Sequence, residues 1–172
     1  GESGFADVDL VLGYKILNRK SYHLSLNIGG TIPTGTTPSG QWLWEPIVGN
    51  GDHWAVGAGF DFGLKFWGRK NKSLKITAAL NYRYLAEARE KRTIGIAGKN
   101  WGQYFLLGTI GAARETSVFK PAANVLTQDL KVEPGSQIDA ILALNYTNCG
   151  FTADLGYNIF FKEDEDVTLR NA

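Results

Sequence analysis

From residue 53 to residue 67 the chain alternates between large apolar residues and small or polar ones. Trp54, Val56, Ala58, Phe60, Phe62, Leu64 and Phe66 share one face, and Ala55, Gly57, Gly59, Asp61, Gly63 and Lys65 share the other. A period of two predicts a strand with each face in its own environment. Five more segments repeat the layout. Residues 5–17 set Ala6, Val8, Leu10, Leu12, Tyr14 and Ile16 against Asp7, Asp9, Val11, Gly13 and Lys15. Residues 22–32 set Tyr22, Leu24, Leu26 and Ile28 against His23, Ser25, Asn27 and Gly29. Residues 73–85 oppose Leu74, Ile76, Ala78, Leu80, Tyr82 and Tyr84 to Lys75, Thr77, Ala79, Asn81 and Arg83. Ile138, Ala140, Leu142, Leu144 and Tyr146 face away from Asp139, Ile141, Ala143 and Asn145. Phe151, Ala153, Leu155, Tyr157, Ile159 and Phe161 oppose Thr152, Asp154, Gly156, Asn158 and Phe160.

The connections alternate in length. Short polar turns at 18–21, 68–72 and 147–150 separate long segments at 33–52 and 86–136. Outer-membrane barrels have short periplasmic turns and longer outer loops. Each predicted strand reaches the ~9–11 residues that a tilted membrane crossing needs. The expected fold class is therefore all-β, an antiparallel up-and-down transmembrane β-barrel occupying residues 1–172 as one domain or barrel segment. Six strands fall short of the about 8 from which single-chain barrels start. Further strands at 104–110 and 124–132, a larger barrel of which this is a part, or closure by several chains would each make up the number.

Composition is compatible with that reading. No run of roughly 18 apolar residues predicts a membrane helix, and barrel strands hide their signal in alternation. Aromatics make up 12% and there are 21 glycines, as a turn-rich, girdled β protein would have. The net charge of +1 carries no nucleic-acid footprint. Cys149 is the sole cysteine, so no disulfide framework exists within the chain. Met is absent, as expected of a chain processed, trimmed or cut from something longer.

Ile32-Pro33-Thr34-Gly35 leaves one strand, and Glu45-Pro46-x-x-Gly49-Asn50-Gly51 leads into the next, aromatic one. Over residues 12–67 this resembles outer-membrane channel proteins of the phenol-degradation-pathway and FadL-like hydrophobic-transporter type. The resemblance implies an outer-membrane barrel for uptake of small or apolar solutes. The N-terminal plug such transporters carry is not visible in these residues, since strand pattern begins near Phe5.

In a barrel, the polar rows would line the lumen. They comprise Asp7, Asp9, Lys15, His23, Asn27, Asp61, Lys65, Lys75, Asn81, Arg83, Asp139, Asn145, Asp154 and Asn158. Their mixed signs argue against a strongly ion-selective pore; the alternative is the solvated face of a soluble sheet. Gly57, Gly59 and Gly63 clear space on that face, for tight curvature or for a loop folding inward. Tyr14, Tyr22, Trp54, Phe66, Trp67, Tyr82, Tyr84, Tyr146 and Phe161 lie near strand ends, where aromatic belts belong. Trp42, Trp44, Trp101 and Tyr104 lie in the long loops and would line a mouth, meet a partner or fold onto the rim. His23 reads as a lumen residue and His53 as the top of a strand; neither has a partner at zinc-ligand spacing. No G-x-S-x-G elbow or phosphate loop occurs, so no enzymatic activity and no cofactor are expected.

The expected function is passive passage of small solutes across an outer membrane of Gram-negative type. The expected partners are the lipid bilayer and small solutes, with a homo-oligomer or other envelope proteins open. Two other classes fit the alternation. One is a structural or assembly component of the cell envelope. The other is a soluble, lipocalin-like barrel with the apolar face turned inward to a ligand.

Overall fold

A computed structural model describes residues 4–39, 46–99, 101–108 and 119–169. The chain is all-β and antiparallel. Six strands form one sheet: β1 (Val8–Asn18), β2 (Tyr22–Ile32), β3 (Ala55–Arg69), β4 (Lys72–Leu85), β9 (Gly135–Asn148) and β10 (Phe151–Lys162), in the order β1-β2-β3-β4-β9-β10. All six alternating segments form strands, and 22–32 keeps its predicted bounds. The others move by one to three residues, because pairing, not side-chain pattern, sets where a ladder ends.

Three tight turns close the short end. In the last, Cys149 (φ 47°) and Gly150 (φ 90°) both take positive φ, as a two-residue hairpin turn that matches strand twist requires. The Cys149 N–H donates to the Asn71 carbonyl at 3.0 Å, tying this turn to the one between β3 and β4. Two bulges sit just before the short turns, between Lys15 and Leu17 in β1 and between Lys65 and Trp67 in β3. Each shifts the alternation by one residue. Leu17 thus stands opposite Leu24, and Trp67 opposite Leu74. The uninterrupted alternation expected through Ile16 and Phe66 stops at these bulges.

Among its described residues, the 86–136 segment adds only Gly135 and Ser136, the start of β9, to this sheet. It holds β5 (Ala88–Thr93), the short pair β6 (Leu106–Gly108) and β7 (Phe119–Pro121), the one-turn helix α1 (Ala122–Leu126) and β8 (Thr127–Glu133). β8 pairs with β5 on one side and with β11 (Asp166–Leu169) on the other. The strands anticipated at 104–110 and 124–132 thus exist in part, but neither extends the large sheet. The strand β5, Ala-Arg-Glu-Lys-Arg-Thr, is mostly charged and pairs in a separate three-stranded cap.

The cap meets the loop end of the large sheet. There Ala55, Leu85, Ala88, Leu130 and Val132 are buried; with Ala122 in α1 they are the buried apolar residues of the described chain. β1 and β10 pair with no second neighbour, so among the described residues the large sheet is open, not closed into a barrel.

Candidate functional site

The register of the large sheet decides which residues share a face. Residues directly opposite one another point the same way. Lys15 pairs with Ser25, Ser25 with Asp61, Asp61 with Ala79, Ala79 with Ile141 and Ile141 with Asn158. A parallel row runs from Gly13 through Asn27, Gly59, Asn81 and Asp139 to Phe160. Another joins Lys65, Lys75, Asn145 and Asp154, and Arg83 and His23 fall on the same side. Thirteen of the fourteen polar-row residues therefore lie on one face. Asp7 is the exception: it precedes β1, and its carboxylate accepts from the Gly35 N–H at 3.1 Å and the Asn50 N–H at 2.7 Å. It clasps the base of the 33–52 loop, because a carboxylate beside free turn amides binds them.

Neighbouring polar residues satisfy one another across the strands. The Thr31 hydroxyl donates to Asp9, and Arg83 lies 3.7 Å from the same carboxylate. The Asn145 amide donates to Asp154 at 2.7 Å and receives the Thr77 hydroxyl at 2.8 Å. The Asn158 amide donates to Asp139 at 2.6 Å. Around Asp9, Asn27, Thr31, Asn81 and Arg83 the face hollows into a cavity of about 170 Å³.

The glycines serve these side chains. A Cβ on Gly59 would lie 2.4 Å from Asn81 Oδ1 and 2.9 Å from Asn27 Oδ1. One on Gly63 would lie 2.2 Å from the His23 ring. At Gly59 and Gly63 the room is filled by polar side chains of β2 and β4 lying across β3, and at Gly57 a Cβ would lie 2.5 Å from the Tyr82 carbonyl oxygen.

The opposite face carries the apolar rows and is uncovered. Leu12, Tyr14, Leu155 and Tyr157 are exposed, as are Leu142 and Phe161, while Phe60 and Phe62 are half-buried. No sealed apolar interior forms between them. Of the girdle residues, Tyr14, Tyr22, Trp54, Phe66, Trp67, Tyr82 and Phe161 are exposed. Trp101 and Tyr104 stack on each other, ring centroids 5.8 Å apart, at the one-turn 3-10 helix Gly102–Tyr104. Trp42 and Trp44 lie outside the described residues.

A second polar cluster, absent from the sequence reading, lies between sheet and cap. The His53 ring reaches the Ala86 carbonyl at 2.8 Å through Nδ1 and Glu90 Oε1 at 2.7 Å through Nε2. Arg92 Nε donates to Glu90 Oε2 at 2.5 Å, and Nη1 donates to Glu165 at 2.6 Å. Lys162 Nζ completes the chain on Glu165 at 2.5 Å. The order is His53, Glu90, Arg92, Glu165, Lys162, with signs that alternate when His53 is protonated. Burial favours the uncharged form of both His53 and Glu90, but the hydrogen bonds and opposite charges prevail. The His53 pKa is raised and the Glu90 pKa lowered. The bonds from Lys162 and Arg92 hold the Glu165 carboxyl down at about 2. These groups border a cavity of about 460 Å³ that Asn50 and Gln137 also line. His53 and Glu90 are 37 positions apart, so no local motif announces them. The alternating Ala88, Glu90, Arg92 on one side of a short strand is the sole local sign.

Among the described residues, no three His, Cys, Asp or Glu side chains converge on a metal-sized site. No family model matches the chain, and neither a curated protein nor a solved structure is similar to it.

Proposed function

We propose that this chain supplies membrane-spanning strands of an outer-membrane β-barrel through which small solutes pass without energy input. The apolar rows face lipid, and the polar rows from Asp9 to Asn158 line a wet interior. The observation that carries this is the joint register: six strands bring thirteen polar-row residues to one face and leave large apolar side chains uncovered on the other. Monomeric soluble proteins rarely expose contiguous apolar area beyond a few hundred Å², whereas a lipid-facing sheet requires it. The FadL-like likeness of residues 12–67 favours small or apolar solutes as cargo. Interleaved Asp, Lys and Arg on the polar face favour weak ion selectivity.

Cysteine accessibility tests the facing. In a Cys149→Ser background reconstituted into lipid vesicles, Asn81→Cys should react with a water-soluble thiol reagent, and Leu142→Cys should not. Equal labelling of both positions, or a protein that stays monomeric in buffer without detergent, would overturn the proposal. Single-channel conductance in planar bilayers then separates passage of solute from a scaffolding role in the envelope.

A further inference from the structure

We propose that His53 and Glu90 form a proton-controlled latch, holding Gly51 and Asp52 at the base of the first long loop against the cap and releasing them when His53 loses its proton. The argument is one of hydrogen count. A carbonyl oxygen can only accept, so the Ala86 contact requires a hydrogen on His53 Nδ1. The Glu90 carboxylate, ionised and held by Arg92, also accepts, so Nε2 must carry one too. Only the imidazolium has both. His53 is 2% exposed and Glu90 7%, so the pair is largely shielded from bulk water. A neutral ring would direct a lone pair at one of two oxygens, and a buried polar group without its partner is costly.

The turn beside the latch is built to follow it. Gly49, Gly51 and Asp52 all have positive φ, at 98°, 68° and 72°. A Cβ on Gly51 would lie 2.7 Å from Glu90 Oε1, so the turn backbone rests directly on the carboxylate. Repulsion between a neutral ring and Glu90 therefore pushes on Gly51 and Asp52. The other charged groups facing the pair are Arg92 on β5, Lys162 on β10 and Glu165 between β10 and β11. Arg92 opposes the proton on His53, while Glu90 favours it. On the far side of the loop base, Asp7 still holds the Asn50 and Gly35 N–H groups. Release is thus local: Gly51 and Asp52 move on the Asp7 clasp at Asn50, and β3 keeps its pairing through the Ala86 N–H bond to the Trp54 carbonyl.

The direction in pH follows from the raised His53 pKa. The latch is complete below the ordinary histidine value of about 6.5 and is lost as pH rises through the higher folded value. It belongs to the loop and the cap alone, and stands whether or not solute crosses the sheet.

The test uses the whole chain in detergent micelles. NMR titration of the two histidine rings gives the His53 value, and, with the Asn50 amide held by Asp7 as the internal control, hydrogen exchange corrected for intrinsic rates reports the amides of Gly51 and Asp52. Their protection should fall by up to about tenfold per pH unit above the His53 midpoint. His53→Gln keeps a donor toward Glu90 and loses the charge, so its protection should not change with pH. Glu90→Gln should stay latched at alkaline pH, because its amide can donate to a neutral Nε2 while Nδ1–H stays on Ala86. Protection that is flat in the native chain while His53 titrates, or a Glu90→Gln protein that releases at the native midpoint, overturns the latch. Should Glu90→Gln not fold, the native titration decides alone.

Discussion

Where the sheet meets the cap, Leu85, Leu130 and Val132 are at most 2% exposed; at the edges of the six-stranded sheet, Leu12, Tyr14, Leu155 and Tyr157 are at least 70% exposed. The two regions belong to one chain, yet their side chains are disposed oppositely. In the cap Leu130 and Val132 are buried and the His53–Glu90 pair is satisfied by its neighbours, while Val167 and Leu169 on the edge strand β11 are exposed. The sheet satisfies its polar groups across strands and leaves its apolar groups without cover. That contrast is what a barrel wall topped by an aqueous loop domain should display, and it can be broken by experiment.

The largest effects should come from one substitution in each region. Leu85→Ala empties a buried site and should cost about 2–5 kcal/mol, as in any core. Leu142→Arg probes the uncovered face. If that face meets lipid, the charge should cost ~2–4 kcal/mol near the bilayer midplane. If it meets water, the cost should fall within about 0.5 kcal/mol of zero, as for ordinary surface positions. Urea unfolding from lipid vesicles measures both. Leu85→Ala costly and Leu142→Arg neutral would show that the sheet and the cap share one solvent, and the contrast would disappear.

The same contrast explains what was legible in the sequence. Six strands were readable because each keeps a two-residue period over at least nine residues and is closed by a short polar turn. Which residues share a face was readable too, since pairing preserves parity wherever no bulge intervenes. The bulges at Lys15/Leu17 and Lys65/Trp67 were not, because nothing in Tyr-Lys-Ile-Leu or Leu-Lys-Phe-Trp marks an extra residue. The cap was hidden for another reason. Its strands are short and charged, and they pair at long sequence distance: Ala88 with Val132, and Val132 with Val167. Asp7 was assigned to a polar row by parity, but the chain leaves the ladder before reaching it and the loop amides take its carboxylate.

An intermediate effect should appear in acid and should be confined to the cap. Glu165 lies 26% exposed between Arg92 and Lys162, with its carboxyl held down at about 2. A carboxylate with a lowered folded pKa contributes stability that is full above the unfolded value and lost as pH falls through the folded one. Moving from about pH 6 to about pH 3 should therefore weaken the cap by about 1–2 kcal/mol, allowing for partial screening of the group. Glu165→Gln should show the reduced stability at both pH values and lose this part of the acid dependence. Hydrogen exchange of the β5 and β8 amides reads the cap separately from the sheet. An acid transition that loosens β9 and β10 as much as β5 would mean that the two regions are not energetically distinct.

The smallest effect on stability should come from the polar face, where it separates structure from passage. Asp9 is paired with Arg83 at 3.7 Å, and both side chains are about half exposed. Such a pair is worth ~0.2–1 kcal/mol. Asp9→Asn keeps an oxygen to accept the Thr31 hydroxyl, so unfolding should change by no more than that. Its electrostatic consequence is larger than its structural one. In the polar rows Asp9, Asp61, Asp139 and Asp154 stand against Lys15, Lys65, Lys75 and Arg83, and Lys162, on the same side by register, is bonded to Glu165. Removing Asp9 leaves a cationic excess and frees Arg83 beside the 170 Å³ hollow. In planar bilayers under a salt gradient, the reversal potential should move toward anions while the stability stays near that of the native chain. An unchanged reversal potential with measurable conductance would mean that ions do not pass along this face, however well the strands span the membrane.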